Sequence, residues 1–225
     1  VIKYLGIIPA RKNSTRVRGK NLIKIGNKKL IHYTFDAALK SKSLNDLVVT
    51  TDDTKIINYA KKYKIKAPFK RPKNISNSKT PMEDVVIHLL NYYKKNFHLP
   101  KNFVLLQPTS PFRTSKDIDN CIKRYEKQNS KSMVSVSEPF NHPYEILTLK
   151  KGRNFFNLSK NSKKKGKEYY FINGSIYICS VNNFLKTKKI FNKKTHFFKT
   201  SKINSIDLND MTDLKVSRSL LKNNI

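Results

Sequence analysis

Tyr4-Leu5-Gly6-Ile7-Ile8 is an uncharged, mostly apolar run that leads straight into Pro9-Ala10-Arg11-Lys12-Asn13-Ser14-Thr15-Arg16-Val17-Arg18-Gly19-Lys20-Asn21. The run reads as a buried first strand. It delivers a polar loop bearing Arg11, Arg16, Arg18 and Lys20. In an α/β sheet, the carboxyl end of a strand is where nucleotides bind. Fixed guanidinium and ammonium groups there hold a triphosphate and offset charge that builds on its leaving group. The loop lacks G-x-x-x-x-G-K-[ST] and G-x-G-x-x-G, which excludes a Walker A loop and a dinucleotide fingerprint. Phosphates would be gripped by side chains rather than by a glycine-rich nest. The competing reading is a solvated basic turn.

The rest of the chain alternates strand and helix signals, the pattern of an α/β sheet. Strands are expected at Tyr4–Pro9, Leu47–Thr51, Ala67–Phe69, Phe103–Gln107, Met133–Val136, Ser175–Cys179 and Asn204–Ile206. Phe103–Gln107 carries no charge and reads as central. Helices are expected at Leu30–Leu39, Asp53–Tyr63, from Pro81 through Tyr92, from Thr114 to about Gln128, and at Asp210–Lys222. Thr114-Ser115-Lys116-Asp117 has the form of a capping box, and Asp210 suits a helix N-terminus. Residues 138–170 break the pattern with Pro139, Pro143, Gly152 and the run Lys163-Lys164-Lys165. They read as a hairpin-rich excursion from a single domain spanning residues 1–225.

Composition bounds the function. At 225 residues, with 38% hydrophobic residues gathered in runs, the chain can bury a substantial core. No apolar stretch approaches the roughly 18 residues that span a bilayer, and no signal peptide is visible. Cys121 and Cys179 sit in apolar company and read as buried free thiols, which suits a cytoplasmic location. The formal net charge of +32 suggests nucleic acid as a partner. The lysines, however, are spread over helix surfaces and loops, and no nucleic-acid-binding motif accompanies them. The charge therefore reads as compositional bias, with no specific nucleic-acid or membrane partner.

Pro9-Ala10-Arg11-x-x-Ser14 with Lys20-Asn21, and Leu105-Leu106-Gln107-Pro108-Thr109-Ser110-Pro111-Phe112-Arg113, resemble two signatures of the acylneuraminate cytidylyltransferases and their relatives that activate other nonulosonic acids. Weaker matches follow in order: Val48 to Asp52, Arg71-Pro72, Asn173-Gly174-Ser175-Ile176-Tyr177 and Ser205-Ile206-Asp207. The resemblance runs from residue 3 to residue 221. It implies a Rossmann-like nucleotidyltransferase fold, with a mostly parallel sheet flanked by helices and a small β-rich dimerisation excursion. It also implies transfer of CMP from CTP to the anomeric hydroxyl of a sialic-type acid, with Mg²⁺ as cofactor and a homodimer as the assembly.

The same resemblance assigns residues. Arg11, Lys20 and Asp207 are the catalytic candidates. Ala10, Ser14, Asn21 and Arg71 join Arg11 and Lys20 at the nucleotide, while Gln107 and Asn173 contact the sugar. Asp207 and Asn209 are the metal candidates, because the family's Asp-x-Asp appears here as Asp207-Leu208-Asn209. Asn209 offers a neutral carbonyl where a second carboxylate is usual. Asp52 is a weaker metal candidate whose other reading is a helix N-cap. Arg71 reads equally as an exposed loop cation, and Arg113 equally as a structural tie to turn carbonyls. His142-Pro143 matches a family loop, but Glu145 stands where a lysine is usual. Lys163, Lys164 and Lys165 are either a solvated loop or a carboxylate-binding group. The histidines at 32, 88, 98 and 196 lack ligand spacing. Three rival readings remain: activation of an octulosonic acid or use of another nucleotide, a non-catalytic nucleotide or polyanion binder, and a nucleic-acid binder.

Overall fold

The computed structural model describes residues 1–141 and 168–222, and between them the backbone of Leu147–Leu149 and Phe156–Leu158. In chain order the elements are β1 (Tyr4–Pro9), β2 (Lys24–Ile25), β3 (Lys28–Lys29), α1 (Leu30–Leu39), β4 (Asp46–Thr50), α2 (Thr54–Lys62), α3 (Met82–Asn96), β5 (Asn102–Leu106), α4 (Ser115–Lys127), β6 (Ser132–Ser137), β7 (Leu147–Leu149), β8 (Phe156–Leu158), β9 (Phe171–Ser180), α5 (Val181–Thr187), β10 (His196–Lys199) and α6 (Met211–Lys222). Six strands form one sheet in the order β10-β6-β9-β5-β1-β4. The β1–β4, β1–β5 and β6–β10 pairs are parallel, and β9 runs antiparallel to both β5 and β6.

Every residue of β1 is buried, because helices cover both faces of the sheet. On one face Tyr4, Ile8, Val49, Val104 and Leu106 pack with Phe35 of α1, Ile56 and Ala60 of α2, and Ile118 and Ile122 of α4. On the other, Leu5, Ile7, Val48, Phe103 and Leu105 meet Val86, Leu89 and Leu90 of α3 and Phe184 of α5. The alternation along each strand follows from the period of two. Cys121 and Cys179 belong to opposite faces, so both remain free thiols. A third, smaller cluster joins Ile25, Leu30, Leu208 and Leu214 beneath α6.

The expected capping box is present. Thr114 Oγ1 accepts from the Asp117 amide at 3.1 Å, and Asp117 Oδ2 accepts from the Thr114 amide at 2.8 Å. Asp210 caps α6 by accepting from the Thr212 and Asp213 amides.

Other expectations fail for physical reasons. Residues 67–69 form no strand. Single bridges at Lys66 and Lys70 flank Pro68, which has no N–H to give a ladder. Residues 204–206 lie in a turn closed by the Ser205 amide on Ser201 and Lys202. The sixth strand is β10 instead, a polar edge strand in which Lys, His and exposed Phe197 mask the signal. Helix α5 also escaped the sequence reading, although Ser180 caps it. Within residues 138–170, β7 and β8 pair antiparallel. His142, Pro143, Glu145 and Lys163–Lys165 lie outside the described residues.

Where β9 passes β6 the register slips. Val134 faces Tyr177, but Val136 faces Ile172, so Ser135 alone opposes Asn173–Ile176. The Ser135 hydroxyl fills the bulge by donating to Asn173 Oδ1 at 2.6 Å and accepting from the Ile176 amide at 2.8 Å. Ser135→Ala strands the Ile176 amide in the interior, leaves Asn173 Oδ1 with the Ser175 amide alone, and should cost about 1–3 kcal/mol. The expected result is a lower urea midpoint with an unchanged slope, and an unchanged midpoint would deny the hydroxyl this role.

Candidate active site

The basic loop leaves β1 at the carboxyl ends of the parallel strands and is tied down on three sides. The Lys12 amide donates to Asp52 Oδ1 at 2.8 Å. Arg11 Nη1 donates to the Asn77 carbonyl at 3.0 Å. Lys20 Nζ donates to the Leu208 carbonyl at 2.7 Å. Asn21 closes the loop on itself, its side-chain amide donating to the Arg11 carbonyl at 2.9 Å. Gly19 makes the turn at φ +63°, a conformation that suits glycine.

These ties frame a cleft of about 310 Å³. Of the residues singled out in the sequence, Arg11, Ser14, Lys20, Asn21, Arg71, Gln107 and Asn209 line it, as does Arg16. Arg18 is exposed outside the lining. Ala10 is wholly buried in the core and meets the site only through the chain it continues. Arg71 is not an exposed loop cation. It is 4% exposed, its Nε donates to Ser76 Oγ at 3.1 Å, and its Nη2 lies 3.9 Å from Asp52 Oδ1. Asp52 is not the cap of α2 either. Asp53 caps that helix, leaving Asp52 between the Lys12 amide and Arg71.

Asp207 and Asn209 flank Leu208, whose side chain is buried in the third cluster. The Leu208 amide donates to the Thr109 carbonyl at 2.8 Å, so the Asp207–Asn209 segment is laced to the turn after β5. Asn209 Nδ2 donates to Asp207 Oδ2 at 2.8 Å. Among the described residues Asp207 Oδ1 is buried with no hydrogen bond of ordinary geometry, although the Thr109 hydroxyl stands near enough to favour its charge. Burial is the largest influence on Asp207 and pushes its pKa up, against Lys20, which pulls it down. Lys20 is itself pushed down, mainly by burial and further by Arg16 and Arg11, while Asp207 counteracts. The site therefore holds excess positive charge beside one incompletely bonded carboxylate.

Gln107 projects from the end of β5 into the cleft. It faces Gly174, where an added Cβ would stand 3.4 Å from Gln107 Oε1 and 3.7 Å from the Tyr177 hydroxyl. Gly174, at φ +73°, keeps that space open. Tyr177, which the motif contained but the sequence reading did not single out, brings its hydroxyl to the same Gly174 space without lining the cleft. Asn173 does not reach the cleft. It is 2% exposed, and its side chain is spent on Ser135, Thr200 and the Ser175 amide. Its position makes it a brace for the Gly174 bulge.

Residues 5–223 match the family described as Cytidylyltransferase. An N-acylneuraminate cytidylyltransferase of Escherichia coli O18:K1:H7 is 33% identical over 226 residues, covering 96% of this chain and 51% of that protein. A CMP-N,N'-diacetyllegionaminic acid synthase of Legionella pneumophila is 30% identical over 231 residues, covering 99% of this chain and 98% of that one. A pseudaminic acid cytidylyltransferase of Campylobacter jejuni is 27% identical, with coverages of 99% and 98%. The chain thus spans about half the length of the Escherichia coli relative and nearly all of the other two. Among solved structures, a CMP:2-keto-3-deoxy-manno-octonic acid synthetase complexed with CTP aligns with a TM-score of 0.72 at 16% identity, over 99% of this chain and all of that one. A 4-diphosphocytidyl-2C-methyl-D-erythritol synthase from Anaerococcus prevotii aligns at 0.66 and 13% identity, with coverages of 98% and 96%. At such identities these two speak for the fold. The matched sequence, read with the cleft geometry, settles the kinship: the chain belongs to the cytidylyltransferase family, with the acylneuraminate cytidylyltransferases among its relatives.

Proposed function

We propose that this protein transfers CMP from CTP to the anomeric hydroxyl of a nonulosonic acid and releases pyrophosphate. The observation that carries the reading is one cleft lined by Arg11, Lys20, Arg71, Gln107 and Asn209. The acceptor hydroxyl gives up its proton to solvent as its oxygen bonds to the α-phosphorus, and the bond to the bridging oxygen breaks. Pyrophosphate departs with that electron pair. Arg11 and Lys20 are placed to hold the triphosphate and to stabilise charge gathering on the leaving group. Lys20 lets go of the Leu208 carbonyl to do so. Gln107 positions the acceptor across the cleft. The relatives that are named for sialic, legionaminic and pseudaminic acids support this acceptor class.

The residues also fit a hard divalent cation. Asp207 Oδ1 is a buried oxygen that lacks a hydrogen bond among the described residues, with the Asn209 carboxamide adjacent. Mg²⁺ commonly takes one or two carboxylates and completes its shell with phosphate and water. Bound there, it would supply further charge compensation for the phosphates. Among the described residues no helix is long and apolar enough to cross a membrane. The free thiols on both sheet faces suit a reducing cytoplasm. The excursion is proposed to join two copies, since Phe140 and Phe171 stand 68% and 58% exposed at its two roots.

Pyrophosphate release with CTP, Mg²⁺ and a panel of sialic, legionaminic, pseudaminic and octulosonic acids tests the activity. Turnover only with an octulosonic acid, or only with another nucleotide, would overturn it. Lys20→Ala should lower turnover about 10²–10³-fold with the fold intact, and wild-type turnover would remove Lys20 from the mechanism. Asn209→Asp should tighten Mn²⁺ binding to the nucleotide-free protein, read by titration calorimetry, because a second carboxylate replaces a neutral amide. An unchanged affinity would place the ion elsewhere. Burial raises the Asp207 pKa above its unfolded value, so the stability linked to its proton is present at low pH and lost as pH rises through the folded value. Asp207→Asn should therefore raise the thermal midpoint at pH 7 and lose that advantage below about pH 4, and a variant less stable at pH 7 would reverse this sign.

A further inference from the structure

Arg113 is 3% exposed, and among the described residues its hydrogen bonds all go to neutral oxygens. Its Nη1 donates to the Gln107 carbonyl at 3.0 Å and to the Ser175 carbonyl at 2.7 Å, and its Nη2 donates to Thr34 Oγ1 at 2.6 Å. Among the described residues its Nε is buried without a hydrogen-bond partner. A cation placed so deep without a bonded carboxylate is expensive. Burial pushes its pKa down to about 9, so it remains charged at neutral pH, favoured at longer range by Asp117 and Asp207.

The location accounts for what this cation does. The β5–β9 ladder ends at the Leu106–Ile176 pair. Immediately beyond it the two strands part, and the Gln107 and Ser175 carbonyls lose their ladder partners. The gap between them is the mouth of the acceptor side, where Gln107 Oε1 looks onto Gly174. One guanidinium nitrogen bridges both carbonyls and so takes over from the ladder. Asn173 braces the same bulge from the other side through the Ser175 amide. The turn from Gln107 to Arg113 also contains Thr109, whose carbonyl holds the Leu208 amide and with it Asp207.

We propose that Arg113 is a positioning residue that sets the Gln107 side chain against Gly174, and that through the Thr109 turn it keeps the acceptor side in register with Asp207. This rests on the proposed transferase reading for its kinetic consequence, but not for its structural one. A lysine cannot reproduce the tie, since one ammonium does not span both carbonyls and Thr34 in the planar geometry of a guanidinium.

The chain has two glutamines, Gln107 and Gln128, so ¹⁵N-glutamine labelling yields two side-chain amide signals, with Gln128 as an internal reference. In folded Arg113→Met and Arg113→Lys proteins the Gln107 amide signal should move or broaden while that of Gln128 stays. CTP affinity should remain within about threefold. Acceptor-dependent kcat should fall about 10²-fold in Arg113→Met, the size expected when a reacting group is misplaced by about 1 Å. Arg113→Lys should recover part of it. Should the methionine variant fail to fold, the lysine variant carries the same comparison. An unmoved Gln107 signal with kcat within threefold, or a loss confined to CTP affinity, would overturn the assignment. Absence of pyrophosphate release from the wild-type protein with every acceptor would instead sink the activity, leaving the amide signals to decide the role of Arg113.

Discussion

Leu208 joins the halves of the cleft. Its side chain is buried with Ile25, Leu30 and Leu214, so its backbone is held in place by packing. From that fixed point its amide reaches the Thr109 carbonyl and its carbonyl receives Lys20 Nζ. Three segments distant in sequence are stitched together by the two polar groups of one residue. Because Leu208 is anchored, Asp207 and Asn209 on either side are presented together, and their side chains bond to each other. Loosening this strap would separate the cationic loop from the turn that carries Gln107.

Charge is the second constraint. Arg11, Arg16, Lys20 and Arg71 line one cleft, while the neighbouring carboxylates are Asp52 and Asp207. Asp52 is already engaged by the Lys12 amide. The cations depress one another: Arg11 lowers the pKa of both Lys20 and Arg71, in each case after burial has lowered it more. The triphosphate proposed for this cleft would relieve that repulsion on entering, which is the logic of a preorganised phosphate site. The extreme net charge of the chain is a separate matter, carried by lysines scattered over the surface, and the site needs only the few cations that the fold holds still.

Much of this was legible in the sequence because local and global signals agreed. The apolar strand ending in a basic loop, the capping box at Thr114 and the Asp210 cap each follow from nearest-neighbour chemistry. So did the uncharged β5, which lies inside the sheet between β1 and β9. What was not legible depends on tertiary contacts. Lys199 and exposed Phe197 gave no warning that β10 would close the sheet edge. Arg71 was read equally as a nucleotide contact and as an exposed loop cation, because its burial and its place near Asp52, 19 residues earlier in the chain, are tertiary facts. Asn173 sat in the right motif, but its side chain turns to Ser135 and Thr200, a consequence of a β-bulge that periodicity does not encode. Arg113 was readable as a tie to turn carbonyls, but not as the group that replaces a ladder at its parting point.

The central claim is that the loop after β1 is a clamp for a nucleoside triphosphate. It is tested most directly by a crystal structure of the protein with CTP and no acceptor. The account predicts the triphosphate within hydrogen-bonding distance of Arg11 and Lys20, with Lys20 Nζ released from the Leu208 carbonyl and the α-phosphorus facing Gln107. CTP seated outside the cleft, with Lys20 still bonded to Leu208, would contradict it.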